Sequence, residues 1–433
     1  MAQQKLLGKW TSTSLVVGNM IGAGVFMMPA VLAAYGGISI IGWLVSTGGA
    51  FLLAALFSKL SKLLPGLQGG PYAYTREGMG DFSAFLVAWG YWISVWTTTA
   101  VLAVAFVSYL TVLIPVLKEN LVYSIGTALC VMWGVTWFNT RSINKVGKMS
   151  LVTTVLKLIP IVAISIGGLF YLDISHFTPF NTSGESNVMA IVAVTSLTFF
   201  SFLGIESATI PAENVKNPEK TVPFATKWGT VIAAVVYILS SVSIMGMISP
   251  HELSASVAPF ADAAEVLWGD GSQYIVAIAA IISVFGALNG WILIQGQMPE
   301  AIARDGLFPS LFAKRNSKGM PAIGIVVSSV LATILILMNY SGGLLKVLEF
   351  MILVSTVSVL IPYIFCSISY VILKRKDQLN IKNKLEYWFL AIMTFLFSMY
   401  AIIGSGYDSV FWGLLFILLG VPVYLIIKKR KST

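Results

Sequence analysis

The stretch GNMIGAGVFMMPA, Gly18 to Ala30, decides how this chain is read. It lies inside a run that is otherwise apolar enough to be one long helix, yet it carries Gly-Ala-Gly at Gly22, Ala23 and Gly24 and a proline at Pro29. A helix broken in mid-membrane leaves backbone N–H and C=O groups unpaired, which is tolerable only where they face protein or a polar cavity. A Gly-x-Gly pair alone is also consistent with close helix packing. A second interruption weakens that alternative. In TFFSFLGIESATIPAEN, Thr198 to Asn214, the apolar run is broken by Ser201, Gly204, Glu206, Ser207 and Pro211. Paired broken helices in corresponding halves are the sequence pointer to an inverted-repeat transport site. The N–H groups after such a break suit a carboxylate, and the carbonyls before it suit an ammonium.

The rest of the chain agrees with a membrane setting. Of 433 residues, 57% are hydrophobic and 10% are charged, against about 25% charged in soluble domains. Apolar runs of about 20 residues fall at 11–33, 38–58, 83–114, 120–138, 149–172, 188–211, 225–248, 273–299, 321–338, 345–373, 386–404 and 409–427. The sequence therefore predicts an all-α membrane protein with twelve transmembrane helices and both termini on one side. Met1 to Lys9 is polar and the run that follows outlasts a signal-peptide core, so no cleaved leader is expected.

Basic residues set the orientation, because Lys and Arg accumulate in cytoplasmic loops. Threading the spans places 24 of the 27 basic residues on one side. They are Lys5 and Lys9; Lys59, Lys62 and Arg76; Arg141, Lys145 and Lys148; Lys216, Lys220 and Lys227; Arg304, Lys314, Arg315 and Lys318; Lys374, Arg375, Lys376, Lys382 and Lys384; and Lys428, Lys429, Arg430 and Lys431. Only Lys118 and Lys346 fall opposite, where the long loops hold Asp173, Glu185, Glu252, Asp262, Glu265 and Asp270. Both termini are expected in the cytoplasm, in a plasma membrane such as the bacterial inner membrane. The asymmetry accounts for the net charge of +9, so a nucleic-acid partner is not needed. Cys130 and Cys366 lie in apolar runs, and the two histidines, His176 and His251, lie in connecting segments. Metal, disulfide and Ser/His/Asp chemistry have almost nothing to work with, so no cofactor, no metal and no enzymatic activity are expected. No Walker-type loop occurs. The tails, Met1 to Lys9 and Lys428 to Thr433, leave little room for a receptor's signalling domain.

Two charges lie within spans. Glu206 sits in the second break, and ionisable residues at that depth are usually functional; the plainer alternative is a carboxyl capping the half-helix that follows. Lys157, in VTTVLKLIPIV, lies within the fifth span. It could snorkel to the interface, or satisfy its ammonium on the carbonyls freed at the first break.

These motifs carry a resemblance. GNMIGAGVFMMPA and FLGIESATIPAENVKNPEKTVPFAT (Phe202 to Thr226) resemble the first- and sixth-helix signatures of the amino acid/polyamine/organocation transporter superfamily. QGGPYAY (Gln68 to Tyr74) and ARDGLFP (Ala303 to Pro309) resemble its cytoplasmic loop motifs. The likeness runs over nearly the whole chain and is strongest to the basic amino acid/polyamine antiporters of the arginine/agmatine exchanger type. It implies a LeuT-like five-plus-five inverted repeat, 10–175 and 188–373, with two additional helices at 386–427, working by alternating access within a single transporter domain. It also leaves a homodimer open, although no interface is visible in the sequence.

Position by position, the resemblance puts the substrate carboxylate on the amides of Ala23 and Gly24 and the α-ammonium on the carbonyls of Met20, Phe200 and Leu203. Phe200 replaces a gating tryptophan, keeping an aromatic face but losing an indole N–H. Trp291, in ALNGWILIQGQ, matches the tryptophan that stacks on the substrate side chain, where a cation gains a cation-π contact. Ser94, Val95 and Thr99 would line the distal end of the pocket, with Thr99 standing where the arginine exchanger has asparagine. Ser355 matches a substrate-facing serine. Tyr91 and Tyr363 match tyrosines of the distal gate, and Glu206 is implied to couple gate closure to protonation. Lys157 resembles the lysine that replaces a bound sodium ion in sodium-independent, proton-coupled relatives. The expected function is exchange of a cationic amino acid for its amine or another amino acid, with a sodium-independent proton symporter of broader specificity as the alternative.

Overall fold

The computed structural model describes residues 7–141, 157–210, 212, 215–339, 344–376 and 384–432. Lys5, Lys145, Lys148, Pro211 and Lys382, which entered the reading above, lie outside the described residues. Helix is the only regular element of any length among the described residues, and ten helical segments are long and apolar enough to cross a membrane. Two shorter apolar helices, Lys157–Tyr171 and Ala322–Leu337, fall where the fifth and ninth spans are expected.

The first span is two helices, α1 (Lys9–Met20) and α2 (Ala23–Ala33), separated by Ile21 and Gly22. Gly22, with φ −133° and ψ −136°, turns the chain out of helical geometry, and no side chain caps the amides that open α2. The chain continues through α3 (Ser39–Leu63), the short amphipathic α4 (Pro71–Met79) and α5 (Asp81–Leu113). Next come α6 (Val116–Glu119), α7 (Leu121–Asn139) and α8 (Lys157–Tyr171). The sixth span begins as α9 (Asn187–Phe199), capped by the Ser186 side chain on the Met189 amide. It then tightens to a 3₁₀ turn at Phe200–Phe202, is extended at Leu203, turns left-handed at Gly204 (φ +104°) and forms a second 3₁₀ turn at Ile205–Ala208.

The second half holds α10 (Pro218–Met247), α11 (Pro250–Ala255), α12 (Pro259–Trp268), α13 (Ser272–Arg304), α14 (Ala322–Asn339) and α15 (Leu344–Lys376). The chain closes with α16 (Lys384–Gly404), α17 (Gly406–Leu418) and α18 (Gly420–Ser432). Helix α10 starts at Pro218, seven residues before the apolar run that predicts it, because a proline in the first turn needs no amide partner. Likewise α13 carries five residues beyond its apolar run, as far as Arg304.

Three long helices, α5, α13 and α15, form the spine of the packing, while α10 packs on α1 and α3. Helices α11 and α12 lie against α2 at one end, and α4 lies against α5 and α15 at the other. The described basic connections gather at this second end: Arg76 pairs with Asp305, Lys59 pairs with Glu386, and the Lys216 amide bonds the Leu7 carbonyl.

Candidate functional site

The two interrupted segments are pressed against each other. A Cβ built on Gly24 would lie 2.4 Å from Ser201 Oγ, 3.0 Å from its Cβ and 3.1 Å from its Cα, so only glycine fits there without movement. The Asn19 side-chain amide, at the end of α1, donates to Ser207 Oγ at 2.9 Å, and a Cβ on Gly204 would stand 3.1 Å from that of Asn19. Gly204 also needs its left-handed φ, so a side chain there is excluded twice over. Helix α13 passes the same place. A Cβ on Gly22 would touch Ala287 at 3.4 Å, and one on Gly290 would approach Asn19 Oδ1 at 3.2 Å. Trp291, buried, follows immediately on α13.

The backbone of the breaks is partly consumed. The Gly22 amide bonds the Met20 carbonyl at 3.0 Å and the Leu203 amide bonds the Phe200 carbonyl at 3.1 Å, leaving each carbonyl a second lone pair. Ala23 and Gly24 are the first residues of α2, where amides have no intrahelical acceptor. That combination, free donors on one side of the break and spare acceptors on the other, complements a zwitterion.

Lys157 occupies the end of α1. Its ammonium, with the residue only 1% exposed, donates to the Gly18 carbonyl at 2.7 Å and to the Ile21 carbonyl. An ammonium here sits at the negative end of the α1 dipole and bonds carbonyls that the break deprives of helical donors. It does not snorkel.

Glu206, fully buried, is held by two phenols. Tyr91 on α5 donates to Oε1 at 2.6 Å and Tyr363 on α15 donates to Oε2 at 2.5 Å. The capping alternative fails on geometry, because Gly204 is followed by the 3₁₀ turn Ile205–Ala208, not by an α half-helix whose dipole the carboxyl could serve. Phe57 and Phe199 meet the Tyr363 ring edge-on at centroid distances of 5.2 Å and 6.4 Å and fix its orientation. The three residues therefore join α5, α15 and the second break in one knot.

Further along α5, hydroxyls converge on α15. Ser355 Oγ lies 3.0 Å from Ser94 Oγ and 2.8 Å from Thr98 Oγ1. Thr99 turns instead toward α13, donating within 3.0 Å of both the Val95 carbonyl and Gln295 Oε1. Met20, Ala23, Val95, Phe200 and Leu203 are all buried. Sequence reasoning named Ser201 and Ser207 only as interruptions of the run and passed over Asn19, Thr98 and Gln295. Of these, Gln295 had a signal: an amide inside the apolar run of α13, four residues after Trp291.

The two loop motifs meet at the basic end. Tyr72 donates to Asp305 Oδ2 at 2.7 Å, and Arg76 lies 3.0 Å from the same oxygen. Burial and the Asp305 carboxylate push the Tyr72 phenol well above its ordinary range. The glycines of QGGPYAY make the approach possible: Gly69 and Gly70 have φ of +104° and +54°. The Gly69 amide bonds the Ile210 carbonyl at 3.1 Å, and a Cβ on Gly70 would lie 2.5 Å from Thr209 Oγ1. This layer reaches the second break through Thr209, whose amide and hydroxyl both donate to the Glu206 carbonyl. Beyond it opens a cavity of about 370 Å³ lined by Gln68, Tyr72, Arg76, Ile210, Glu300 and Asp305 among others.

Comparison with known proteins agrees with the motifs. The sequence profile described as amino acid permease matches residues 7–426. A putative arginine/ornithine antiporter of Bacillus subtilis is 30% identical, over 94% of this chain and 93% of its own length. The cadaverine/lysine antiporter of Escherichia coli K12 is 32% identical, over 88% of this chain and 86% of its own. The putrescine transporter PotE of Haemophilus influenzae is 30% identical, over 98% and 97% respectively.

Proposed function

The chain belongs to the amino acid permease family, a multi-pass membrane transporter and not an enzyme, and from that premise we propose that it exchanges a cationic amino acid for its amine or for another amino acid. The observation that carries the reading is the contact of the two breaks at Gly24 and Ser201, which sets uncapped amides and spare carbonyls side by side at the centre of the bundle. Relatives named for arginine/ornithine, cadaverine/lysine and putrescine transport support the substrate class.

In this account the Ala23 and Gly24 amides bind the carboxylate, and the carbonyls of Met20, Phe200 and Leu203 bind the α-ammonium. The substrate side chain runs across Trp291 toward Ser94, Val95, Thr99 and Ser355. Glu206, Tyr91 and Tyr363 form the distal gate, and Glu206 couples closure of that gate to protonation. The transporter has twelve spans in two inverted five-helix repeats, 10–175 and 188–373, with 386–427 outside the repeat. Both termini are in the cytoplasm and the host membrane is the bacterial inner membrane, which matches the gathering of basic residues at one end.

One observation favours a second reading. Lys157 sets its ammonium on the α1 carbonyls of Gly18 and Ile21, which suits the resemblance to the lysine that replaces a bound sodium ion and hence a sodium-independent symporter that binds and releases a proton there. Uptake of labelled arginine, ornithine, lysine and alanine into proteoliposomes, empty or preloaded, with and without an inward proton gradient, separates the two. Exchange requires a preloaded amino acid or amine. Proton-driven uptake into empty vesicles would replace the exchanger by the symporter.

A further inference from the structure

Gln295 is fully buried in α13, and its hydrogen bonds leave no freedom in how it is oriented. Nε2 donates to the Ile325 carbonyl at 3.1 Å and to Ser329 Oγ at 2.8 Å, both on α14. A carbonyl can only accept, so the nitrogen must face α14 and the oxygen must face α5. The main-chain carbonyl of Gln295 is held as well, by Ser328 Oγ at 3.2 Å, and that hydroxyl accepts from the Trp92 indole at 2.7 Å. Both amide protons are thus spent on α14, and Oε1 is turned toward Thr99.

Thr99 has one proton and two acceptors for it, the Val95 carbonyl and Gln295 Oε1, each at 3.0 Å. Neither can donate in return. Whatever else approaches this pair therefore meets lone pairs only: those left on Thr99 Oγ1 and the second lone pair of Gln295 Oε1. Trp291 lies four residues earlier on the same face of α13 and offers a π-face one turn away.

We propose that Gln295 is the specificity-determining residue of the substrate site, presenting with Thr99 an acceptor-only corner that selects a primary ammonium at the end of the substrate side chain. The inference rests on the reading of Thr99 and Trp291 as lining that site. An ammonium has three donors and no acceptor, so two oxygens and a ring face satisfy it in a dry site. A guanidinium brings five donors in a rigid fork and outnumbers the acceptors. A hydroxyl gains one bond and leaves its own lone pairs facing others, and a methyl group leaves the remaining lone pairs of the corner unmet. The substrate class is therefore lysine, ornithine and the corresponding diamines, ahead of arginine and neutral amino acids.

The test is competition against labelled lysine exchange in proteoliposomes by lysine, 6-hydroxynorleucine, norleucine and arginine, for the wild type and for Gln295→Leu. Losing a hydrogen bond to a charged group predicts that the Gln295→Leu inhibition constant for lysine rises roughly tenfold or more, while that for norleucine holds or falls. Lysine and norleucine weakened equally would make Gln295 a packing residue only and overturn the proposal, as would an unchanged ratio. Thr99→Val, which keeps the side-chain shape and the whole α14 clamp, must move the lysine to norleucine ratio in the same direction even if Gln295→Leu does not fold. Wild-type vesicles that exchange no cationic amino acid or amine would instead refute the function proposed above, a result distinct from wild-type lysine exchange that is indifferent to Gln295.

Discussion

Replacing Gly24 by alanine tests whether the meeting of the two breaks is what makes the site. The added methyl would stand 2.4 Å from Ser201 Oγ, 3.0 Å from Ser201 Cβ and 3.1 Å from Ser201 Cα. The hydroxyl can rotate away at little cost, because Ser201 Oγ has no hydrogen-bond partner among the described residues. The other two contacts cannot be relieved that way, since they involve the atoms that fix the backbone. The Ser201 carbonyl is itself tied to the Tyr237 hydroxyl at 2.8 Å, which resists displacement. Overpacking of this kind costs about 1–3 kcal/mol, and if the strain falls on the substrate-bound state it lowers affinity by about 5- to 150-fold. The Gly24 amide survives the substitution, so a loss would come from geometry and not from a missing donor. The assay is substrate affinity by competition in proteoliposomes, paired with thermal stability of the detergent-solubilised protein. Adding Ser201→Gly removes the Oγ and Cβ contacts and leaves only Cα, so the double variant should recover most of the loss, a coupling read from the double-mutant cycle. Gly24→Ala with wild-type affinity, or a loss that Ser201→Gly does not relieve, would refute the contact as the basis of the site.

Two further variants probe the buried charges. Glu206→Gln keeps the shape but removes the proton-accepting carboxylate, and the exchange rate should fall and its pH profile flatten; unchanged rate and profile would remove Glu206 from the gate. Lys157→Met takes the ammonium from the Gly18 and Ile21 carbonyls, two hydrogen bonds worth roughly 1.5–3 kcal/mol each to a charged donor. Exchange should fall by at least about tenfold. Wild-type transport should be indifferent to replacing sodium by choline, and sodium stimulation of the wild type would contradict the role proposed for Lys157.

How much was legible beforehand follows from how each feature is encoded. Apolar length, Gly-Ala-Gly before Pro29, and Gly204 beside Glu206 are local properties, so the membrane class and both interruptions can be read without coordinates. The boundaries were less legible. Pro218 opens α10 and Arg304 ends α13 in polar sequence, where a proline in the first turn and loop contacts set the helix ends and hydropathy does not. The form of the second break also escaped, because a 3₁₀ turn and an α half-helix have the same composition over four residues.

By itself the sequence determined that this chain lies in a membrane, where it breaks and which family it joins, because burial in lipid leaves its mark on composition and a broken helix needs glycine at the break. Only the tertiary structure decided partnership. Tyr91, Glu206 and Tyr363 are separated by 115 and 157 residues in sequence yet bond within 2.6 Å, and Tyr72 reaches Asp305 across 233 residues. Nothing in the run around Gln295 indicates that its nitrogen is spent on α14 and its oxygen turned to Thr99. A hydrogen bond depends on direction and distance between particular atoms, and those are fixed only when helices from both halves pack against one another.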